Sequence, residues 1–170
     1  MEFASVKELL CKAQEMGYAV PAFNVENMET VQGVIQAAEE LNRPVILQTT
    51  PSSVNYAGLD FFAACVRTAI RNTRVPIALH LDHGSSYELA ANAMKEGYSS
   101  VMIDGSRLSF EDNIGLTSRV SELGNILGVS VEAELGSVGG KEDRSIPESI
   151  TFTVPSHAVE FAEKNKVNSM

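Results

Sequence analysis

The sequence predicts an α/β protein of parallel βα units, closer to a (β/α)8 barrel than to a doubly wound sheet, and three observations carry that reading. Apolar, strand-like segments recur at about residues 19, 44, 75, 99, 129 and 167, each preceded by a stretch with helical spacing. These segments are apolar on both faces, as in a parallel sheet covered by helices. Their C-terminal ends collect the polar residues: Asn24, Gln48 with Thr49 and Thr50, Asp82 with His83, Asp104, and Glu132 with Glu134. In parallel α/β folds, sites form at that end.

The elements follow in order. Phe3, Val6, Leu9, Leu10 and Ala13 have helical spacing over 3–16, and Gly17 is placed to stop the helix. "YAVPAFN" reads as a short strand. A helix from Met28 to Leu41, with Val31, Val34, Ile35 and Ala38 on one face, leads to the strand "PVILQT". "QTTPSSVNYAG" reads as a long polar loop, whose hydroxyls can bind a substrate oxygen or make turns. A helix over 58–70 precedes "VPIALHLD", one over 86–96 precedes "SSVMID", and one over 110–127 precedes "VSVEAEL". A last helix, 155–165, runs into "VNSM".

The expectation is one incomplete barrel domain over 1–170, truncated to about the first five or six βα units, because the complete fold takes eight and about 250 residues. No GxGxxG opens a helix and no GxxxxGK[ST] occurs, so dinucleotide and P-loop readings find little support.

A net charge of −9 and a pI near 4.8 argue against a nucleic-acid surface, which needs clustered Lys and Arg. The start "MEFASVKELL" has no basic segment followed by a long apolar one, and no run reaches the roughly 20 apolar residues of a membrane span. The expected location is the cytoplasm. Cys11 and Cys65 lie far apart in apolar helical patterns and are expected to be buried, reduced thiols.

"HLDHGSS" carries the densest chemistry. His80 and Asp82 share a strand face by the period of two, while His83 sits where the strand ends. A strand-end Asp also caps helices and a single His is commonly just hydrogen-bonded, so this stretch alone leaves metal, acid/base and structural roles open. Asp104 and Glu134 end the next two strands, as caps, as partners of Arg107 or Lys141, or as members of a site. Glu132 shares the face of Glu134 and needs a partner if it points inward, since an unpaired buried carboxylate is costly. Several acids beside one His favour a divalent-metal pocket. "GSVGGKEDRS" suits either a loop over a site or a solvated surface loop, and His157 reads as a surface residue.

Together, "PAFNVEN", "LQTTP", "YAG", "IALHLDHGSSYE", "SSVMIDGS" and "VEAELGSVGGKED" resemble the class II, zinc-dependent fructose-bisphosphate and tagatose-bisphosphate aldolases, the tagatose type most of all. The resemblance runs from the first helix to the last residue. It implies a (β/α)8 barrel and a cytoplasmic lyase of glycolysis and carbohydrate metabolism. That enzyme would use Zn2+, with room for a second divalent or a monovalent cation, to cleave a ketose 1,6-bisphosphate reversibly into dihydroxyacetone phosphate and glyceraldehyde 3-phosphate.

Position by position, His83 resembles a zinc ligand and Asp82 the acid/base facing the aldehyde-derived hydroxyl. Asp104 and Glu134 resemble the second-metal carboxylates, Glu142 the loop acid that handles the ketose carbon proton, and Asn24 and Thr50 the substrate contacts. Thr50 stands where the family usually has serine, keeping the hydroxyl. The family's other two zinc-binding histidines and its phosphate-holding loops fall beyond Met170. The implied partners are a sugar bisphosphate or triose phosphates and further copies of the chain, with no nucleic acid and no membrane. A Schiff-base mechanism has no candidate, because Lys95 lies within a helix and Lys141 in the glycine loop. The competing reading is a catalytically inactive truncated barrel, acting at most as an oligomerising or binding fragment through its open strand edges.

Overall fold

A computed structural model describes residues 2–136 and 152–170. Five strands form one parallel sheet in chain order: β1 (Ala22–Asn24), β2 (Val45–Thr49), β3 (Ile77–Gly84), β4 (Ser100–Ile103) and β5 (Ser130–Ala133). Strand order equal to chain order, with a helix in each crossover, is the arrangement of a barrel segment. The start of a sixth strand lies against β5. Ser169 bridges Glu132 in parallel, Asn168 N–H donates to the Val131 carbonyl at 2.8 Å, and Ala133 N–H donates to that of Ser169 at 3.2 Å.

Helix ends follow local chemistry. In α1 (Val6–Met16) the Ser5 hydroxyl accepts from Glu8 N–H, and Gly17 closes the helix at φ 69°, so the helix starts three residues later than the apolar spacing suggests. α2 (Met28–Leu41) coincides with its expected span because Asn27 and Thr30 form a capping box and Asn42 ends it in the left-handed region.

The polar segment after β2 is not a loop. It forms α3 (Pro51–Ala57), with Pro51 in the first turn and the Thr50 carbonyl accepting from Val54 N–H at 3.0 Å. Proline favours that position because its fixed φ is already helical. α4 (Leu59–Ala69) follows, extended by a 3-10 turn over Ile70–Asn72. α5 (Tyr87–Lys95) and α6 (Phe110–Leu127) begin at Ser86 and Ser109, whose hydroxyls accept from Leu89 and Asp112 N–H. α7 (Pro155–Asn165) precedes the sixth-strand segment.

The main core lies between the sheet and its helices, with Leu47, Leu79, Leu81, Val101, Ile103, Phe62, Tyr98 and Phe161 fully enclosed. β1 is shorter than expected and exposed along its length, since among the described residues it pairs with β2 alone and it follows Pro21. Cys11 is exposed and Cys65 half-buried, against the expectation of two buried thiols. In α1 only the Val6, Leu9 and Ala13 stripe is buried, and Cys11 lies off it.

Candidate active site

β3 decides the geometry. Leu81 pairs with Val101 and Gly84 with Ile103, so three steps along β3 match two along β4. The extra residue is a bulge, and His83 within it has φ 49°. In a regular strand Asp82 and His83 would point to opposite faces. The bulge turns both into one pocket, shared with Met102, Glu132, Glu134 and Leu135. Gly84 completes the motif, because a Cβ there would collide with the Met102 carbonyl oxygen.

In this pocket His83 Nδ1 donates to Asp104 Oδ2 at 3.1 Å and lies 3.6 Å from Glu134 Oε2. Asp104 also accepts from the Ser106 backbone N–H at 3.0 Å and from its hydroxyl at 2.6 Å. Glu134 is steadied from behind by buried Asn113 of α6, whose Nδ2 donates to the Glu134 carbonyl at 2.8 Å. Asn113 must lie close to β4, and a Cβ on Gly105 would run into its amide. These contacts tie the ends of β3, β4 and β5 together.

The charges follow from these contacts. The hydrogen bond to Asp104, helped by Asp82 and Glu134 and opposed by burial, raises His83 to about 9. Burial pushes Asp104 up, yet the hydrogen bonds from His83 and Ser106 outweigh it and hold the carboxyl at about 2. Burial and then the Asp82 charge raise Glu132.

Asp82 is held by Gln48, whose Nε2 donates to Asp82 Oδ2 at 2.9 Å and to Asn24 Oδ1 at 2.6 Å. The chain Asn24, Gln48, Asp82 thus crosses the ends of β1, β2 and β3. Thr50 is buried at the start of α3, its hydroxyl 2.9 Å from Ser52 Oγ and 3.4 Å from Ser53 Oγ. Glu132 meets His80 Nε2 at 3.8 Å and accepts from Ser169 Oγ at 3.4 Å, which supplies the partners an inward carboxylate needs. Glu142, Lys141 and the glycine-rich loop after Gly136 lie outside the described residues.

One imidazole and two carboxylates, from His83, Asp104 and Glu134, offer ligand atoms all within 4.8 Å of one another. That donor set fits a divalent cation with positions left open for further ligands. Sequence reasoning singled out all three. It did not single out Gln48 and Asn113 as positioning groups. Gln48 was visible only as one more polar strand end, and nothing in the spacing of α6 marks Asn113.

A family model described as "Fructose-bisphosphate aldolase class-II" matches residues 4–170. The chain belongs to the class II fructose-bisphosphate aldolase family. It is 43% identical over 173 residues to a probable fructose-bisphosphate aldolase of Bacillus subtilis (strain 168), covering 100% of this chain and 61% of that protein. It is 40% identical over 173 residues to a fructose-bisphosphate aldolase of Staphylococcus aureus (strain N315), covering 100% of this chain and 60% of that one. The crystal structure of the YdjI aldolase from Escherichia coli K12 superposes with a TM-score of 0.84 at 34% identity, over 97% of this chain and 59% of that one. This class II aldolase chain therefore spans about three fifths of the length of these relatives. Enzymes of the family are metal-dependent lyases acting on sugar phosphates, and the cluster at the strand ends has the donors such a metal needs.

Proposed function

We propose that this chain carries the first half of a zinc-dependent aldolase site that reversibly cleaves a ketose 1,6-bisphosphate, fructose or tagatose, to dihydroxyacetone phosphate and glyceraldehyde 3-phosphate. The observation that carries the reading is the convergence of His83, Asp104 and Glu134 within 4.8 Å at the C-terminal ends of β3, β4 and β5, with His83 and Glu134 lining one pocket with Asp82.

His83 would hold the zinc, which supplies Lewis-acid polarisation at the substrate carbonyl, and Asp104 and Glu134 would hold a second cation beside it. Asp82, oriented by Gln48, exchanges a proton with the hydroxyl that becomes the aldehyde. Glu142 handles the proton on the ketose carbon. Asn24, held by Gln48, and Thr50 contact the substrate. Cytoplasmic placement and homo-oligomerisation belong to the same reading and are tested by cell fractionation and sedimentation.

The test measures zinc content and ketose-bisphosphate cleavage on the purified protein beside His83→Ala. Zinc and turnover together, both lost in the variant, support the assignment. Turnover that persists after complete zinc removal overturns it.

A further inference from the structure

His80 has no part in the proposed proton transfers, yet it is buried on the inner face of β3 and contacts two elements of the pocket wall. Its Nδ1 lies 2.8 Å from Ser100 Oγ on β4, and its Nε2 faces Glu132 Oε2 on β5 at 3.8 Å. We infer that Ser100 and His80 form a relay that fixes the His80 proton on Nε2 and so positions the Glu132 carboxyl group beside Asp82. The inference rests on the aldolase reading for what Glu132 does there, and on the contacts alone for the relay.

The direction of the relay follows from hydrogen-bond accounting. Ser100 is 1% exposed, and a buried hydroxyl that only accepts leaves its own proton without a partner, which costs free energy. The hydrogen bond described for it among the described residues is the one to His80 Nδ1. If the hydroxyl donates, Nδ1 accepts, and the single proton of a neutral imidazole sits on Nε2. Neutrality is consistent with burial, which lowers His80 to about 4, followed by the charge of His83. The protonated Nε2 then lies 3.8 Å from the Glu132 carboxylate oxygen, beyond hydrogen-bond range, an electrostatic attraction strengthened by the partly enclosed site.

The consequence is a division of labour on β5. Glu132 and Glu134 share one face by the strand period. Glu134 lies within the three-residue donor group, whereas Glu132 is drawn toward His80 and Ser169 and stays outside it. Glu132 is thereby kept as a carboxyl wall next to Asp82 rather than spent as a fourth ligand. His80 acts as a positioning residue.

The experiment is 15N nuclear magnetic resonance of the histidine side chains in the full chain at neutral pH, which distinguishes the two neutral tautomers. Three histidines make assignment by single substitution direct. His80 is expected as the Nε2–H tautomer, with Ser100→Ala mixing the tautomers and Glu132→Gln shifting the Nε2–H resonance. A predominant Nδ1–H tautomer, or an Nε2–H resonance indifferent to Glu132→Gln, overturns the relay.

Activity gives a second readout. His80→Gln places an amide N–H near the Nε2 position and is expected to stay within about 3-fold of the parent kcat, whereas His80→Leu loses about 10-fold in kcat with little change in KM. Equal losses in folded Gln and Leu variants overturn the positioning role. An intact tautomer pattern in a protein with no aldolase turnover leaves the relay standing and counts against the functional reading alone.

Discussion

The Gln48 side-chain amide bridges Asp82 and Asn24, donating to the first at 2.9 Å and to the second at 2.6 Å. One nitrogen on β2 therefore sets the orientation of a carboxylate on β3 and an amide on β1. Gln48→Leu keeps the bulk and removes both donors. Turnover is expected to fall about 10-fold while zinc content stays unchanged, since no ligand of the three-donor cluster is touched. Steady-state kinetics with metal analysis on the same preparation checks this, and a variant that loses its metal contradicts it.

Metal uptake should release protons. In the metal-free chain His83 holds its proton up to about 9, chiefly through Asp104, and a ligand imidazole must be neutral. Calorimetric titration with zinc at pH 7 in buffers of different ionisation enthalpy is expected to show proton release, with apparent affinity rising as pH approaches 9. His83→Ala abolishes the release and weakens binding at least about 100-fold.

Acid should destabilise the fold through His80. Its pKa is lowered by burial from 6.5 to about 4, so between those values the unfolded chain takes up a proton that the folded chain refuses. This contribution is fully present above pH 6.5 and lost as pH falls toward 4, in total on the order of 3 kcal/mol. His80→Gln is expected to flatten that limb of the stability-versus-pH curve. Chemical denaturation at several pH values measures it, and an unchanged slope contradicts the assignment.

Asn113 should matter to both stability and metal binding. Its Nδ2 donates to the Glu134 carbonyl, and its Oδ1 accepts from Thr117 Oγ1 at 3.1 Å inside the core. Asn113→Ala leaves both groups without their partner, a cost of about 1–3 kcal/mol for buried polar groups. It also loosens the strand end that carries Glu134. Both a lower denaturation midpoint and weaker zinc binding are expected, and a variant altered in neither contradicts the role.

Much of this was legible in the chain itself, because its signals are local. The double-sided apolar strands announce a parallel sheet, the Asn27 cap and the αL residue Asn42 bound α2, and the polar residues fall at one end of each strand. The resemblance of "HLDHGSS" and its companions to class II aldolases makes Asp82, His83, Asp104 and Glu134 candidates, and the fold brings the last three together.

What the chain alone did not give depends on neighbours. α3 was hidden because a polar composition outweighed the Pro51 signal, and the helix exists by packing on β2 and β3. The left-handed His83 is set by the mismatch of register between β3 and β4, which no single strand encodes. The meeting of His83 with Asp104, 21 residues apart, and of Asn113 with Glu134 requires three strands laid side by side and one helix folded back on them. Alternation and caps are properties of a few adjacent residues, whereas a cluster of ligand atoms within 4.8 Å is a property of the closed packing that brings distant strand ends to one place.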